Sequence, residues 1–388
     1  MFLLQQGWGM LTFINNFLSN HSNSGIILSP RICERSQLER YYPNISEIPN
    51  SEIFFDPHFY EPRTDLPRIL SYPYFNNFNF QTTTFNHSDF CNQVIEYQAN
   101  VLNLHNIILP GRYTNSLSES WLDMQRTFAE LGNNYRSLHE IYSTLAIGPD
   151  LILNPDHFNT IIDEVINYPV DGIYLVFEHP SHDFLLSEEF IYVILDAILS
   201  ISLSKKKIIL GYSNHQSIIF YASGIDYLAS GNYRNVRAFD HLNSTDRDND
   251  NLRKGVWYFD GNTFGEYKIP ALGLAFRRNL RNHFGPITNY NSTLLSSNNP
   301  TTIPWREPDA FSNYFDLLNH YCSEINNIIK NQRANYLLNF FNSRRDTNQA
   351  LSNANFNFGD RGFNNHIEGT IAALEAFIRD RSSDIINL

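Results

Sequence analysis

The chain predicts an α/β fold, a (β/α)8 TIM-type barrel with a C-terminal helical extension. Three observations carry this reading. Eight short apolar runs, at 26–30, 53–57, 107–111, 145–149, 173–178, 208–212, 227–231 and 256–260, each stop abruptly at Pro, Gly or a polar residue. The runs are continuous rather than alternating, as in strands buried on both faces. Helical patterns lie between most of them, as parallel strands require.

In chain order, residues 1–24 read as an N-terminal arm, and the first strand follows Gly25. After the second strand comes a long insert, 61–105, rich in Tyr, Phe, Asn and Thr up to His87 and helical over 88–103 with Ser88 as its N-cap. Trp121, Met124, Phe128 and Leu131 repeat at helical spacing over 118–132, and Gly132 is a stop signal. Pro155-Asp156 opens a helix reaching 168, 187–204 supplies the next, and a short one over 214–223 is closed by Gly224.

The barrel then spans 25–285. A Ser/Thr/Asn/Pro-rich linker covers 286–304, and a helical extension covers 305–388. There Tyr314, Leu317, Leu318, Tyr321, Ile325, Ile328 and Ile329 fall on one helix face, and a second helix covers 367–381. The extension packs on the barrel or on a protein partner.

The chain has 388 residues, against about 250 for a barrel alone, so an appended unit is expected. A formal net charge of −12 argues against gripping nucleic acid by bulk electrostatics, so any polyanion needs a focused site. Cys33, Cys91 and Cys322 are far apart and form no metal-spaced cluster. The N-terminus lacks a basic start and a small-residue cleavage site, and the apolar stretch 190–203 contains Asp196 and falls short of a membrane span. A reduced, cytoplasmic protein without membrane contact is the expectation.

In this fold the chemistry sits on the loops after the strand C-termini, so the residues closing each run are the site candidates. Asp56 closes the second run, with Tyr60 just beyond; a desolvated carboxyl there has a raised pKa and suits acid–base work, while an Asp before Pro is also a common turn former. Glu178 and His179 end the fifth run. A Glu emerging from four apolar residues needs either a partner, for which Arg234 and Arg237 are the candidates, or a catalytic role. Asp56, Glu178 and His179 are therefore the catalytic candidates.

Tyr212, Ser213, Asn214 and His215 follow the sixth run and suit the orienting of a base or sugar, although Ser213 or Asn214 also serves as a helix N-cap. Ser230, Asn232, Arg234, Asn235 and Arg237 follow the seventh run, where barrels often hold phosphate. Trp257 and Tyr258 read as core. His58, His179, His182 and His215 raise the question of metal, but no His-x-His closes the first strand and no His-Glu-x-x-His occurs, so no metal is expected. Phosphate-loop and dinucleotide glycine motifs are also missing, and no cofactor is expected.

The segment 224–237, Gly-Ile-Asp-Tyr-Leu-Ala-Ser-Gly-Asn-Tyr-Arg-Asn-Val-Arg, resembles the late-barrel segment of the tRNA-guanine transglycosylases. Ile209-Leu210-Gly211-Tyr212 is similar to that family's preceding strand, and Asp56 stands where its early motif supplies an active-site Asp. The likeness extends over about residues 50–240, mostly as strand order. It departs at three places. Ala229 occupies the nucleophile position, Pro57-His58-Phe59 replaces a Ser-Gly-Gly loop, and the zinc cluster is missing.

The resemblance implies a related barrel that binds a nucleobase, a nucleoside or a nucleic-acid end, and the same exchange chemistry does not follow from it. The common strand-end position of the candidates gives the leading reading, a prokaryotic-type barrel enzyme acting on a nucleotide, nucleoside or nucleic-acid base by glycosidic-bond or transfer chemistry, as a transglycosylase-like transferase or a glycosidic hydrolase. The other reading is a catalytically silent barrel that serves as a binding or scaffold subunit in a prokaryotic, defence-type complex.

Overall fold

Phe2-Leu3-Leu4-Gln5 is itself a barrel strand. In the computed structural model, which describes residues 1–61, 66–76, 85–241 and 256–388, the strands are β1 (Phe2–Gln5), β2 (Ser24–Leu28), β3 (Glu52–Phe55), β4 (Asn106–Ile108), β5 (Glu140–Ile147), β6 (Gly172–Phe177), β7 (Lys207–Leu210) and β8 (Tyr227–Ser230). All pair in parallel in the order β3-β2-β1-β8-β7-β6-β5-β4, a nearly closed barrel. Where β3 faces β4, Asn106 Nδ2 donates to Glu52 at 2.7 Å and Tyr113 N donates to Tyr60 O at 2.9 Å.

This corrects two expectations. The segment 1–24 is not an arm, because β1 pairs with β2 and β8, placing Leu3 opposite Gly25 and Ala229. The last predicted strand is not a barrel stave: β9 (Trp257–Phe259) forms an antiparallel hairpin with β10 (Glu266–Lys268) outside the barrel. A three-residue buried strand has the same apolar signature in either setting, so the run counted correctly to eight with the wrong membership.

The longer helices are α1 (Leu11–Asn20), α2 (Arg35–Ser46), α3 (His87–Glu96), α4 (Glu119–Asn133), α5 (Pro155–Val165), α6 (Glu188–Leu203), α7 (Ile269–Arg277), α8 (Glu307–Asn326), α9 (Arg333–Asn353) and α10 (Ile367–Asp380), with a 3-10 run His215–Ser223 after β7. Side-chain caps set several starts. Ser118 Oγ accepts from Trp121 N at 3.3 Å, Ser187 Oγ from Phe190 N at 3.4 Å, and Asn214 Oδ1 from Gln216 N at 2.9 Å. Asn86, rather than Ser88, caps α3. Gly224 ends the 3-10 run at φ +101°, a conformation few other residues adopt.

Side chains alternate along each strand. Phe2 and Leu4 face the helices and belong to the layer around the barrel, whereas Leu3 faces the interior with Ile27, Phe54, Ile108, Tyr174 and Ile209. The extension closes over this outer layer: Phe315 of α8 packs on Phe2 at 6.1 Å and Phe17 at 6.1 Å, and Phe377 of α10 is buried. Each such buried side chain contributes about 1.5–3 kcal/mol.

Helix α9 did not register in the sequence because its apolar residues are sparse; it buries Leu337, Phe340, Phe341 and Leu351 among polar neighbours. The linker is structured, with Leu294 and Leu295 buried in a third apolar cluster beside β9 and β10. No described helix is long and apolar enough to cross a membrane.

Candidate functional site

Period-two alternation decides which strand-end residues face the barrel interior. Counting from the inward Leu3, Phe54 and Val176, the next inward positions are Gln5, Asp56 and Glu178. Ser230 and His179 sit one residue off that phase and face away.

Asp56 lies in a cage of phenols. Its Oδ2 accepts from Tyr60 at 2.8 Å, Tyr212 at 3.1 Å and Tyr174 at 3.3 Å, and its Oδ1 accepts from His58 N at 2.8 Å. Only 1% of the residue is exposed. Burial pushes its carboxyl up to about 6, against hydrogen bonds that favour the ionised form. Two backbone positions build the cage. His58 and Tyr212 hold φ of +55° and +50°, strained for residues with a Cβ, and turn the backbone N–H of one and the phenol of the other onto the carboxylate. Gly211 is required because a Cβ there would stand 2.6 Å from the Tyr174 ring.

Glu178 has different company. Tyr113 Oη donates to its Oε2, while Oε1 accepts from His241 Nδ1 at 2.5 Å and from His241 N at 3.2 Å. The His241 ring stacks on Tyr113 at 4.4 Å, with 11° between planes. Asp240 adds a second carboxylate: one donor atom each from Glu178, Asp240 and His241 lie within 4.8 Å of one another. A parallel bridge between Glu178 and Phe239 fixes the loop after β8 to the end of β6. Phe239 packs on Tyr60 at 5.1 Å, Tyr212 at 5.3 Å and Tyr113 at 6.1 Å, so it touches donors of both carboxylates.

The other predicted residues serve the scaffold. Arg237 pairs neither with Glu178 nor with an open site. Its Nη2 lies 2.6 Å from Glu266 Oε1, and its guanidinium stands 3.9 Å from the Tyr314 ring centre. Arg361 Nη1 holds the other oxygen of Glu266 at 2.9 Å. Burial opposes ionisation of Glu266, yet the two guanidiniums outweigh it and hold its carboxyl down at about 2. An Arg committed to a buried carboxylate is a poor phosphate ligand.

Ser230 Oγ bonds Tyr314 Oη at 3.1 Å, Asn232 Nδ2 donates to Trp8 O at 3.1 Å, Asn214 Nδ2 donates to Phe184 O at 2.6 Å, and Ser213 Oγ donates to Leu210 O at 3.2 Å. Arg234 and Asn235 are exposed on the loop after β8. His179 Nδ1 donates to Asp183 O at 2.9 Å, and burial holds the ring down at about 4. His215 sits among Phe259, Phe264, Phe363 and Phe184, neither ring nitrogen has a hydrogen-bond partner among the described residues, and burial lowers it to about 3. The side chain of His182 lies outside the described residues, as do 62–65 and 77–84 of the predicted insert.

Of the predicted site, the structure gathers Asp56, Tyr60 and Tyr212 in one cage and places Glu178 on the same inward row. Sequence reasoning missed Gln5, Tyr113, Tyr174, Asp240 and His241. Tyr174 was findable, because it lies two and four residues before Val176 and Glu178 on the same inward phase. The chain matches no family model and no curated protein.

Proposed function

We propose that the chain is a barrel enzyme acting on a nucleotide, nucleoside or nucleic-acid base by glycosidic-bond or transfer chemistry, with Asp56 as the proton donor. The observation that carries the reading is the Asp56 carboxyl, held at about 6 inside the strand-end face of the barrel, close to the pH at which an acid is most useful. Glu178 faces the same interior and supplies the second carboxylate of the pair. On the loop after β1, Trp8 is 56% exposed with the Arg68 guanidinium 4.4 Å from its ring centre, a surface on which a base can stack.

The likeness of 224–237 to the tRNA-guanine transglycosylases supports the same substrate class. Ala229 faces the interior and has no atom to attack a sugar, so the chemistry proposed here forms no covalent intermediate at that position.

The test is release of free base from a panel of nucleosides and nucleotides, followed by chromatography. Turnover is expected, with Asp56→Asn lowering kcat by on the order of 10²-fold or more at unchanged circular dichroism. It is also expected to fall about tenfold per pH unit above about 6, as the acid ionises. No release from any member of the panel, or an unaltered rate in Asp56→Asn, defeats the proposal.

One observation favours the second reading, a silent scaffold. Tyr60, Tyr212 and Phe239 close over Asp56, and Asn214, Ser230, Asn232 and Arg237 are spent on internal contacts. Phe239→Ala separates the two readings. In an enzyme, opening this cover alters KM or kcat for base release. In a scaffold it leaves association with a protein partner through residues 305–388 unchanged and no turnover appears.

A further inference from the structure

We propose that Glu178, Asp240 and His241 form a binding site for one divalent cation at the barrel mouth. The donor set is two carboxylates and one imidazole, drawn from two different strand ends. Glu178 stands just past the end of β6, and Asp240 and His241 lie on the loop after β8, held over it by the Glu178–Phe239 bridge. One donor atom from each lies within 4.8 Å of the other two. A first-row divalent ion keeps oxygen and imidazole ligands at about 2.0–2.2 Å, so a small inward adjustment of these atoms closes a shell around it.

The surroundings fit this use. The Glu178 side chain is 4% exposed and the His241 side chain 26%, so one ligand is anchored in the barrel and another borders solvent. Tyr113 fixes both: its hydroxyl donates to Glu178 Oε2, the oxygen that His241 does not use, and its ring lies flat on the imidazole. Outer partners that orient ligands in this way are a regular feature of metal centres. An ion takes the place of the hydrogen now shared between Nδ1 and Oε1.

The site answers a difficulty in the nucleotide reading, on which this further role rests. Arg237, the buried cation expected to hold phosphate, is committed to Glu266. A phosphate approaching Glu178 and Asp240 would meet like charge, and a divalent ion bound there converts that corner from repelling an anion to holding one.

The experiment titrates the purified full chain with Mn²⁺ alone and counts bound ion from the electron paramagnetic resonance signal of the free ion. One Mn²⁺ per chain is expected. Asp240→Asn and His241→Asn, both at partly exposed positions, should weaken binding by more than tenfold, and Tyr113→Phe, which removes only an outer partner, by about tenfold. Circular dichroism of each variant reports whether it folds, and Glu178→Gln is then compared with them. No Mn²⁺ bound at about 1 mM, or binding undiminished in both folded Asp240→Asn and His241→Asn, overturns the site. If Mn²⁺ binds as expected while no nucleoside or nucleotide is turned over, the cation site stands and the proposed reaction fails. If nucleotide is bound equally well in EDTA, the ion has no part in holding phosphate.

Discussion

Asp56 and Glu266 are both buried carboxylates, one inside the barrel and one at the seam where the hairpin meets the loop after β8, yet their chemistry is opposite. Asp56 is surrounded by neutral donors and rises to about 6, whereas Glu266 is clamped by Arg237 and Arg361 and falls to about 2. Burial is common to both; the charge of the neighbours decides the direction. Near neutral pH, Asp56 can exchange a proton and Glu266 cannot. A third buried carboxylate shares the shift of Asp56 without sharing its place. Asp260, outside the barrel, is held by Tyr258, Thr263 and Gly285 N and also rises to about 6. What distinguishes Asp56 is its place on the inward row at the strand C-terminal ends, not its acidity alone.

The largest effect should come from the seam. Glu266→Ala leaves Arg237 buried without its counter-charge, and urea unfolding should show a loss of about 3–5 kcal/mol. A loss below 1 kcal/mol would mean that Arg237 finds another partner and that the clamp is not what separates the two carboxylates.

Next is pH dependence. The folded state holds the Asp56 proton up to about 6, whereas an unfolded chain releases it near 3.9. Between those values the folded state binds more protons, so stability falls as pH rises through the window, by about 3 kcal/mol for this group. Asp260 contributes in the same direction. Asp56→Asn should remove one of the two contributions and flatten the profile of unfolding free energy from pH 4 to 7. An unchanged slope would place the Asp56 titration in the ordinary carboxylate range. Glu266 acts with the opposite sign: folded, its carboxyl is already ionised, whereas an unfolded chain still holds that proton near pH 4, so it adds stability as pH rises through the acid end of the window.

Smaller again is Gly211→Ala. The added Cβ pushes on the Tyr174 ring, at a cost of about 1–3 kcal/mol in thermal or chemical unfolding, and takes one phenol off Asp56. The smallest is Arg234→Ala. On an exposed loop it should change stability by less than about 0.5 kcal/mol, a larger loss placing Arg234 in the scaffold alongside Arg237.

The barrel was legible because strands buried on both faces leave continuous apolar runs, and seven of its strand-end loops could be placed from where those runs stop. The first strand was not, since four residues with a polar end at Gln5 carry too little pattern to stand out. Asp56 and Glu178 could be singled out because a carboxylate closing an apolar run is costly unless it is paired or used. Their partners could not. The cage depends on Tyr174, hidden inside an apolar run, and the Glu178 corner depends on Tyr113 and His241, which lie 65 and 63 residues from it in the chain. Arg237 misled for a related reason: a cation in a strand-end loop has the same sequence signature whether it meets a ligand or a buried glutamate.

Strand β1 carries a consequence for how the chain is made. Its two neighbours, β2 and β8, emerge at very different moments: Ser24–Leu28 almost at once, Tyr227–Ser230 only after some two hundred further residues. At about 5–20 residues per second, one row of backbone amides and carbonyls on Phe2–Gln5 waits on the order of ten seconds or more on the ribosome before it is covered. An uncovered apolar edge is an invitation to mispairing, so the nascent barrel depends on its helices or a chaperone to shield that flank until the ring can close.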